Sequence, residues 1–385
     1  MAKSDIVKKD WVAQFQLVGK PVINDFTFDI DKQSTKSNYI YSKMRLGVDC
    51  GSEHGTIYCE SIGGYSPDNP YPIYARDKDD FGTQIIVDWE DRFDRDTIEQ
   101  VSDLNKFTVG LEKKSDGNTY YQDFLSEYDA IAYIQEHLTP DMVVNVRGTL
   151  KYSLYEGKTQ IRKEFKSIAL SKAEPENYRA TFTQSILIDG DSASLTKDNI
   201  DVDKGVMYVN ARVLDYLKEY NGEEVRGQFP FVVQFEQEMP LGNQELCKKR
   251  FNNTYKVKKG VTQLNMEGVF IESGAAVQAT EADIPDDIME LVDLGYYTKE
   301  EALAKCSTNG NKERRMVLKK PQIKMVGDDD NKVLNLQKFE ERYKEEDLII
   351  DCLKGGSNVE EDESVAPWIE EDSDNEDSSW LDDLV

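Results

Sequence analysis

A mainly β protein with minor helix is predicted by three features of the sequence. Apolar residues alternate with polar ones over many short stretches. Glycine-bearing turns separate those stretches. Within the first 170 residues one segment, 126–138, switches to helical spacing. Period two marks a strand because successive side chains point to opposite faces, whereas a helix repeats its apolar residues every three to four positions.

Residues 12–30 read as an extended, bent first strand carrying Phe15, Leu17, Val22, Ile23, Phe26, Phe28 and Ile30. Residues 39–48 alternate cleanly: Ile40, Ser42, Met44, Leu46 and Val48 on one face, Tyr39, Tyr41, Lys43 and Arg45 on the other. Thr56 to Ile62 is a third strand, ended by Gly63-Gly64, and Gln84 to Val87 is a short run beyond a Tyr/Pro/Asp loop. Ser126 with Asp129 forms a capping box, and Tyr128, Ile131, Ala132, Ile134 and Leu138 share one helical face. Residues 144–151 return to period two, Glu156-Gly157 is a turn, and 160–170 is the returning strand. Three strands, a helix and a hairpin make up the element order of the OB-fold, a partly open five-stranded barrel that commonly binds oligonucleotides.

A second set of strands follows Pro175: Arg179–Ile188, Val206–Leu214, Phe229–Phe235 and Val261–Ile271, punctuated by Asp189-Gly190, Asn221-Gly222 and Lys259-Gly260. They predict a second OB-like barrel. Residues 284–306 read as a helical hairpin, with a third helix near Val333 to Glu346. Beyond Gly355 the chain is Ser, Asp, Glu and Asn with isolated apolar residues, too few to fold alone. The expected organisation is an OB-fold nucleic-acid-binding domain at 1–172, a second β-barrel at 173–280, a helical segment with a basic stretch at 281–354, and a disordered acidic tail at 355–385.

The 385 residues carry 47 Lys+Arg against 74 Asp+Glu, net −27, which as a uniform charge would repel nucleic acid. The charge is not uniform. The tail holds 12 acidic residues and no Lys or Arg, so the first 354 residues carry 62 acids (74 less 12) against 47 bases. The body also contains basic blocks. On the 39–46 strand, Tyr39 and Tyr41 lie beside Lys43 and Arg45, the combination single strands need: rings stack on bases and cations follow phosphates. An ordinary solvated face is the plainer explanation of such a strand, but two aligned rings cost solubility. The hairpin at 142–172 is net +5, and Arg147, Lys151, Tyr155, Lys158, Arg162 and Lys166 are its candidate contacts. Residues 247–266 contain no acid and read as a flexible basic-aromatic loop, with Lys248, Lys249, Arg250, Phe251, Tyr255 and Lys256 as candidates. Residues 312–324 repeat the theme, and either of these two blocks could serve the acidic tail instead.

Other classes find little support. There is no long apolar run for a membrane span and no signal-peptide stretch. Five scattered cysteines without a CxxC pair suit reduced thiols in a cytoplasm. The two histidines, His54 and His137, leave little for a triad or zinc site. Phosphate-cradling loops and HExxH are absent. Asn199 to Asp203 resembles a calcium loop, but Lys204 stands where glycine is needed. No enzyme activity, metal or cofactor is expected.

The tail ends Trp380-Leu381-Asp382-Asp383-Leu384-Val385, an acidic tract with apolar anchors at its tip. In this tail and in the strand order the chain resembles bacterial and bacteriophage single-stranded-DNA-binding proteins, the phage type more closely. The resemblance implies OB-folds whose acidic C-termini recruit replication or recombination proteins through that tip. The sequence departs in its length, its second barrel and its final Leu-Val. The expected function is sequence-tolerant binding of single-stranded DNA. An RNA-binding OB protein and an adaptor whose tail mimics nucleic acid are the alternatives.

Overall fold

The computed structural model describes residues 6–80, 82–273, 313–327 and 332–348, with 288, 289, 292, 298 and 299. The first barrel begins with β1 (Ala13–Val22). A turn leads to β2 (Phe28–Gln33), a strip along the edge of β3 (Ile40–Asp49), so the single strand expected over 12–30 is two. β3 pairs with β4 (Thr56–Tyr65) over all ten residues. An insertion follows: β5 (Ile73–Arg76), β6 (Gln84–Val87), α1 (Arg95–Gln100), β7 (Phe107–Lys113) and β8 (Thr119–Phe124). Helix α2 (Glu127–His137) starts where Ser126 accepts from the Tyr128 amide. The hairpin β9 (Val144–Tyr155) and β10 (Lys158–Leu170) completes the barrel.

The ladders close a ring. β1 pairs antiparallel with β3 at one end and with β9 at the other, β3 with β4, and β9 with β10. β4 meets β10 in parallel at Glu60–Glu164. This circuit, with α2 between the third and fourth barrel strands, is that of an OB-fold. Leu17, Met44, Leu46, Ile57, Val146, Phe165 and Ile168 fill it, and Ile131 and Ile134 of α2 plug it. Each such side chain removes apolar surface worth about 1.5–3 kcal/mol from water. Cys50 and Cys59 lie in the same core, and burial, with Asp49 adding to it, pushes the Cys50 thiol up to about 12. Neither thiol is therefore expected to react with an aromatic disulfide at pH 8 until the protein is unfolded by urea. Labelling of either in the native state would contradict the barrel packing.

The second half repeats the circuit. Its strands are β11 (Arg179–Ile188), the short β12 (Ile200–Asp201), β13 (Val206–Tyr220), β14 (Glu223–Glu238), β15 (Val261–Ser273) and β16 (Glu313–Pro321), with α3 (Gln244–Thr254) between β14 and β15. β11 pairs with β13 and β15, β13 with β14, β15 with β16, and β14 with β16 in parallel. The core holds Phe182, Val209, Val213, Phe231, Phe235, Phe270 and Leu318. The ring therefore closes only at Pro321, one strand beyond the expected boundary at 280. The basic stretch expected near 312–324 is this closing strand, with Val317 and Leu318 buried between its cations.

The barrels are joined along β1, which pairs antiparallel with β11 from Ala13–Gln184 to Val18–Arg179. The β3–β4 turn docks on β15: the Glu272 amide donates to the His54 carbonyl at 2.9 Å. Gly55, at φ +74°, lies so close that a Cβ would sit 2.2 Å from the Glu272 carbonyl oxygen, so only glycine fits. Asp215 of β13 forms a third tie. It accepts from the Tyr152 amide at 2.9 Å and pairs with Lys8 at 3.3 Å.

After β16 come a hairpin, β17 (Ile323–Val326) with β18 (Val333–Leu336), and then β19 (Lys338–Tyr343). The helix expected near Val333 to Glu346 is thus two strands and a short 3-10 turn at Glu345–Leu348. The open edge of β15 recruits β19, and this tertiary pairing overrides the local helical pattern. The Tyr343 hydroxyl donates to the Val7 carbonyl and ties the N-terminal segment down. The expected helical hairpin at 284–306 lies almost wholly outside the described residues, as does the tail at 355–385.

Candidate nucleic-acid interface

The register of β3 on β4 builds a ladder outside the first barrel. Because Met44 and Leu46 are buried, Tyr41, Lys43 and Arg45 face out, as period two requires. Across the ladder Tyr41 lies opposite Gly64, Lys43 opposite Ile62, Arg45 opposite Glu60, and Gly47 opposite Tyr58. Residues opposite one another share a face, so Tyr58 and Ile62 are outward too, 47% and 53% exposed. Arg162 of β10 joins this face one strand over.

Part of the face opens into a cleft of about 580 Å³. Its walls are Phe26 from the β1–β2 turn, Arg45 and Tyr58 from the ladder, Arg162 from β10, and Arg314 from the second barrel. Phe26 is 83% exposed. The face of the second and third strands, with the loops beside it, is where OB barrels take oligonucleotides.

Glu60 stands among the cations. Its carboxylate is 3.2 Å from the Lys43 Nζ and 3.9 Å from both the Arg45 Nε and an Arg162 terminal nitrogen. Arg162 also reaches Glu164 at 3.6 Å. Lys163, next along β10, turns away to Glu272 at 2.9 Å and lies over the Phe270 ring. On the opposite, α2 side of the sheet Tyr65 stacks on Trp89 at 5.0 Å, and Tyr128 meets Tyr65 edge-on.

The candidate residues from the sequence fall into separate places. Tyr41, Lys43, Arg45 and Arg162 share the face just described. Tyr39 borders it, and burial, reinforced by Glu127, raises its phenol pKa. Tyr155 and Lys158 face one another across the hairpin turn, both exposed. Lys151 leans toward Asp215 at 3.9 Å. Arg147 and Lys166 line a different depression with Lys106, and Lys166 is paired with Glu127. Residues 247–266 are not a flexible loop. They begin in α3, capped by Asn243, and end in β15. Cys247, Phe251 and Tyr255, four apart, face the barrel core, which removes both rings from any stacking role. The Tyr255 hydroxyl donates to Gln237, and burial raises its pKa. Lys249, Arg250 and Lys256 are exposed and Lys248 half-buried, none of them in the cleft. Trp380, Leu381, Asp382, Asp383, Leu384 and Val385 lie outside the described residues.

Sequence reasoning passed over Tyr58, Ile62, Glu60 and Phe26. The first three were within reach, since the period-two phase of Thr56 to Ile62 sends them outward. Phe26 gave no signal of its own, because one continuous strand was expected there. Among the described residues no group of three or more His, Cys, Asp or Glu side chains could hold a metal ion.

Two barrels of the same circuit in one chain, the first with an outer wall of rings and cations, define a tandem OB-fold protein. The chain belongs to the YorF family, whose match spans residues 83–283, just over half of its length. No curated protein matches the sequence. Among solved structures it is similar to the wild-type single-stranded DNA binding protein from Thermus aquaticus, at 9% identity and a TM-score of 0.29, over 69% of this chain and 87% of that one. A deletion mutant of the same protein gives 10% identity and a TM-score of 0.30, over 68% and 88%.

Proposed function

We propose that this protein binds single-stranded DNA without strong base preference and coats it during replication or recombination. The observation that carries this reading is the outer wall of β3 and β4, where the rings of Tyr41 and Tyr58 bracket Arg45 and adjoin Arg162. Rings stack on any base, and arginines follow the backbone whatever its sequence. On this reading the acidic segment 355–385 recruits partner proteins through Trp380, Leu381 and Leu384, its carboxylates steering it to basic partners.

The test is a fluorescence titration with dT and rU oligomers at several salt concentrations. Binding to dT should weaken steeply with salt, the logarithmic slope falling by about 0.7 for each phosphate neutralised. A chain cut after residue 354 should still bind dT and should fail to pull down replication proteins. A flat salt response or a preference for duplex would overturn the DNA reading, and tighter binding to rU would redirect it to RNA. Partners retained by the shortened chain would remove the role given to the tail.

A further inference from the structure

A carboxylate in a phosphate-binding wall is a liability unless something holds it in check. Glu60 is the one acid facing its three cationic neighbours from β4, and these neighbours are not equivalent. Lys43 is the nearest, at 3.2 Å, and its side chain is only 23% exposed, about as little as that of Glu60 at 22%. Arg45 and Arg162 sit farther off, each at 3.9 Å, and their side chains are 64% and 49% exposed. A lysine held short and half-buried against a carboxylate is poorly placed to reach a passing strand. Two arginines held loosely on either side, with their planar forks toward solvent, are well placed for it.

From this division, which rests on the single-strand reading above, we infer that Lys43 is not a phosphate contact but the counter-ion of Glu60, and that Glu60 positions Arg45 and Arg162. Glu60 keeps the two guanidinium groups side by side in the free protein. When a strand arrives, the arginines swing to its phosphates and Lys43 alone neutralises the carboxylate left behind. Without Lys43 that carboxylate would hold the arginines more tightly and repel the strand. Glu164, the other acid beside Arg162, is the register partner of Glu60 across β4 and β10, and its ion pair is with that arginine. Lys43 would then act on DNA entirely through Glu60, a role its place in an alternating Tyr-Lys-Arg strand does not suggest.

A double-mutant cycle tests this, using the full-length protein and dT oligomers. Lys43→Ala should weaken binding by about five- to tenfold, the effect of unmasking one unit charge about 4 Å away. It should leave the salt slope as it was, whereas Arg45→Ala or Arg162→Ala should lower the slope by about 0.7. In a Glu60→Gln background the Lys43→Ala change should have no further effect. Lys43→Arg, which keeps the charge, should bind like the wild type. An equal loss from Lys43→Ala in both backgrounds, with a reduced salt slope, would show that Lys43 touches phosphate and overturn the inference. So would no loss in either background. If the wild-type protein itself ignores dT, the single-strand reading fails first, and the inference falls with it.

Discussion

Replacing both Tyr41 and Tyr58 by alanine is expected to weaken binding of dT oligomers by about 2–6 kcal/mol, since each stacking ring contributes about 1–3 kcal/mol. Both side chains lie outside the barrel, so the variant should keep the far-ultraviolet spectrum and urea midpoint of the wild type. Tyr58 should matter at least as much as Tyr41, because it lines the cleft and is the more open of the two. Tyr39→Ala should cost less, since that ring sits at the edge of the face. The outcome that defeats this assignment is a folded double variant that binds like the wild type; the binding surface would then lie elsewhere, with the rim of Arg147 and Lys166 the next place to examine.

The second large effect concerns the junction of the barrels. Asp215→Ala is expected to destabilise the protein by about 1–3 kcal/mol, the cost of leaving a buried donor without its acceptor, with the half-buried ion pair to Lys8 lost beside it. The Asp215 side chain is 7% exposed and serves the Tyr152 amide, the Tyr216 amide and Lys8 at once. Removing it leaves the Tyr152 N–H without its acceptor inside the protein, beside a Lys8 ammonium whose pKa burial already lowers. Asp215→Asn keeps an acceptor for the amide and should cost less. Urea unfolding of the three proteins measures this directly, and a loss below about 1 kcal/mol would mean that the junction rests on the β1–β11 ladder and the docked β3–β4 turn.

The strands of the first barrel were legible because their alternation is a direct imprint of one buried face. Met44 and Leu46 against Lys43 and Arg45 leave no other phase. The second barrel was legible up to β15 and no further. Its closing strand, β16, buries Val317 and Leu318 in succession, breaking the alternation, and its flanking cations made it look like a surface run. The same bias toward charge hid α3, where Cys247, Phe251 and Tyr255 at intervals of four mark a buried helical face beneath Lys248, Lys249 and Arg250. The face on β3 was half visible: its rings and cations could be read in one strand, but Glu60 acquires its meaning only when β4 lies beside β3. No single-strand pattern carries that information.

The position of β1 has a consequence for how the chain comes off the ribosome. Gln14 is flanked in the finished sheet by Thr149 on one side and Thr183 on the other. Residues 13–19 of β1 therefore precede both of their partner strands by more than a hundred residues and wait with both edges bare while these emerge, although the far end of β1 can pair early with β3. Unpaired edges of this kind are templates for pairing with another chain, and closing loops of this length slows the search for the native arrangement. The strand that welds the two barrels together is thus also the stretch of nascent chain most in need of protection before the weld can form.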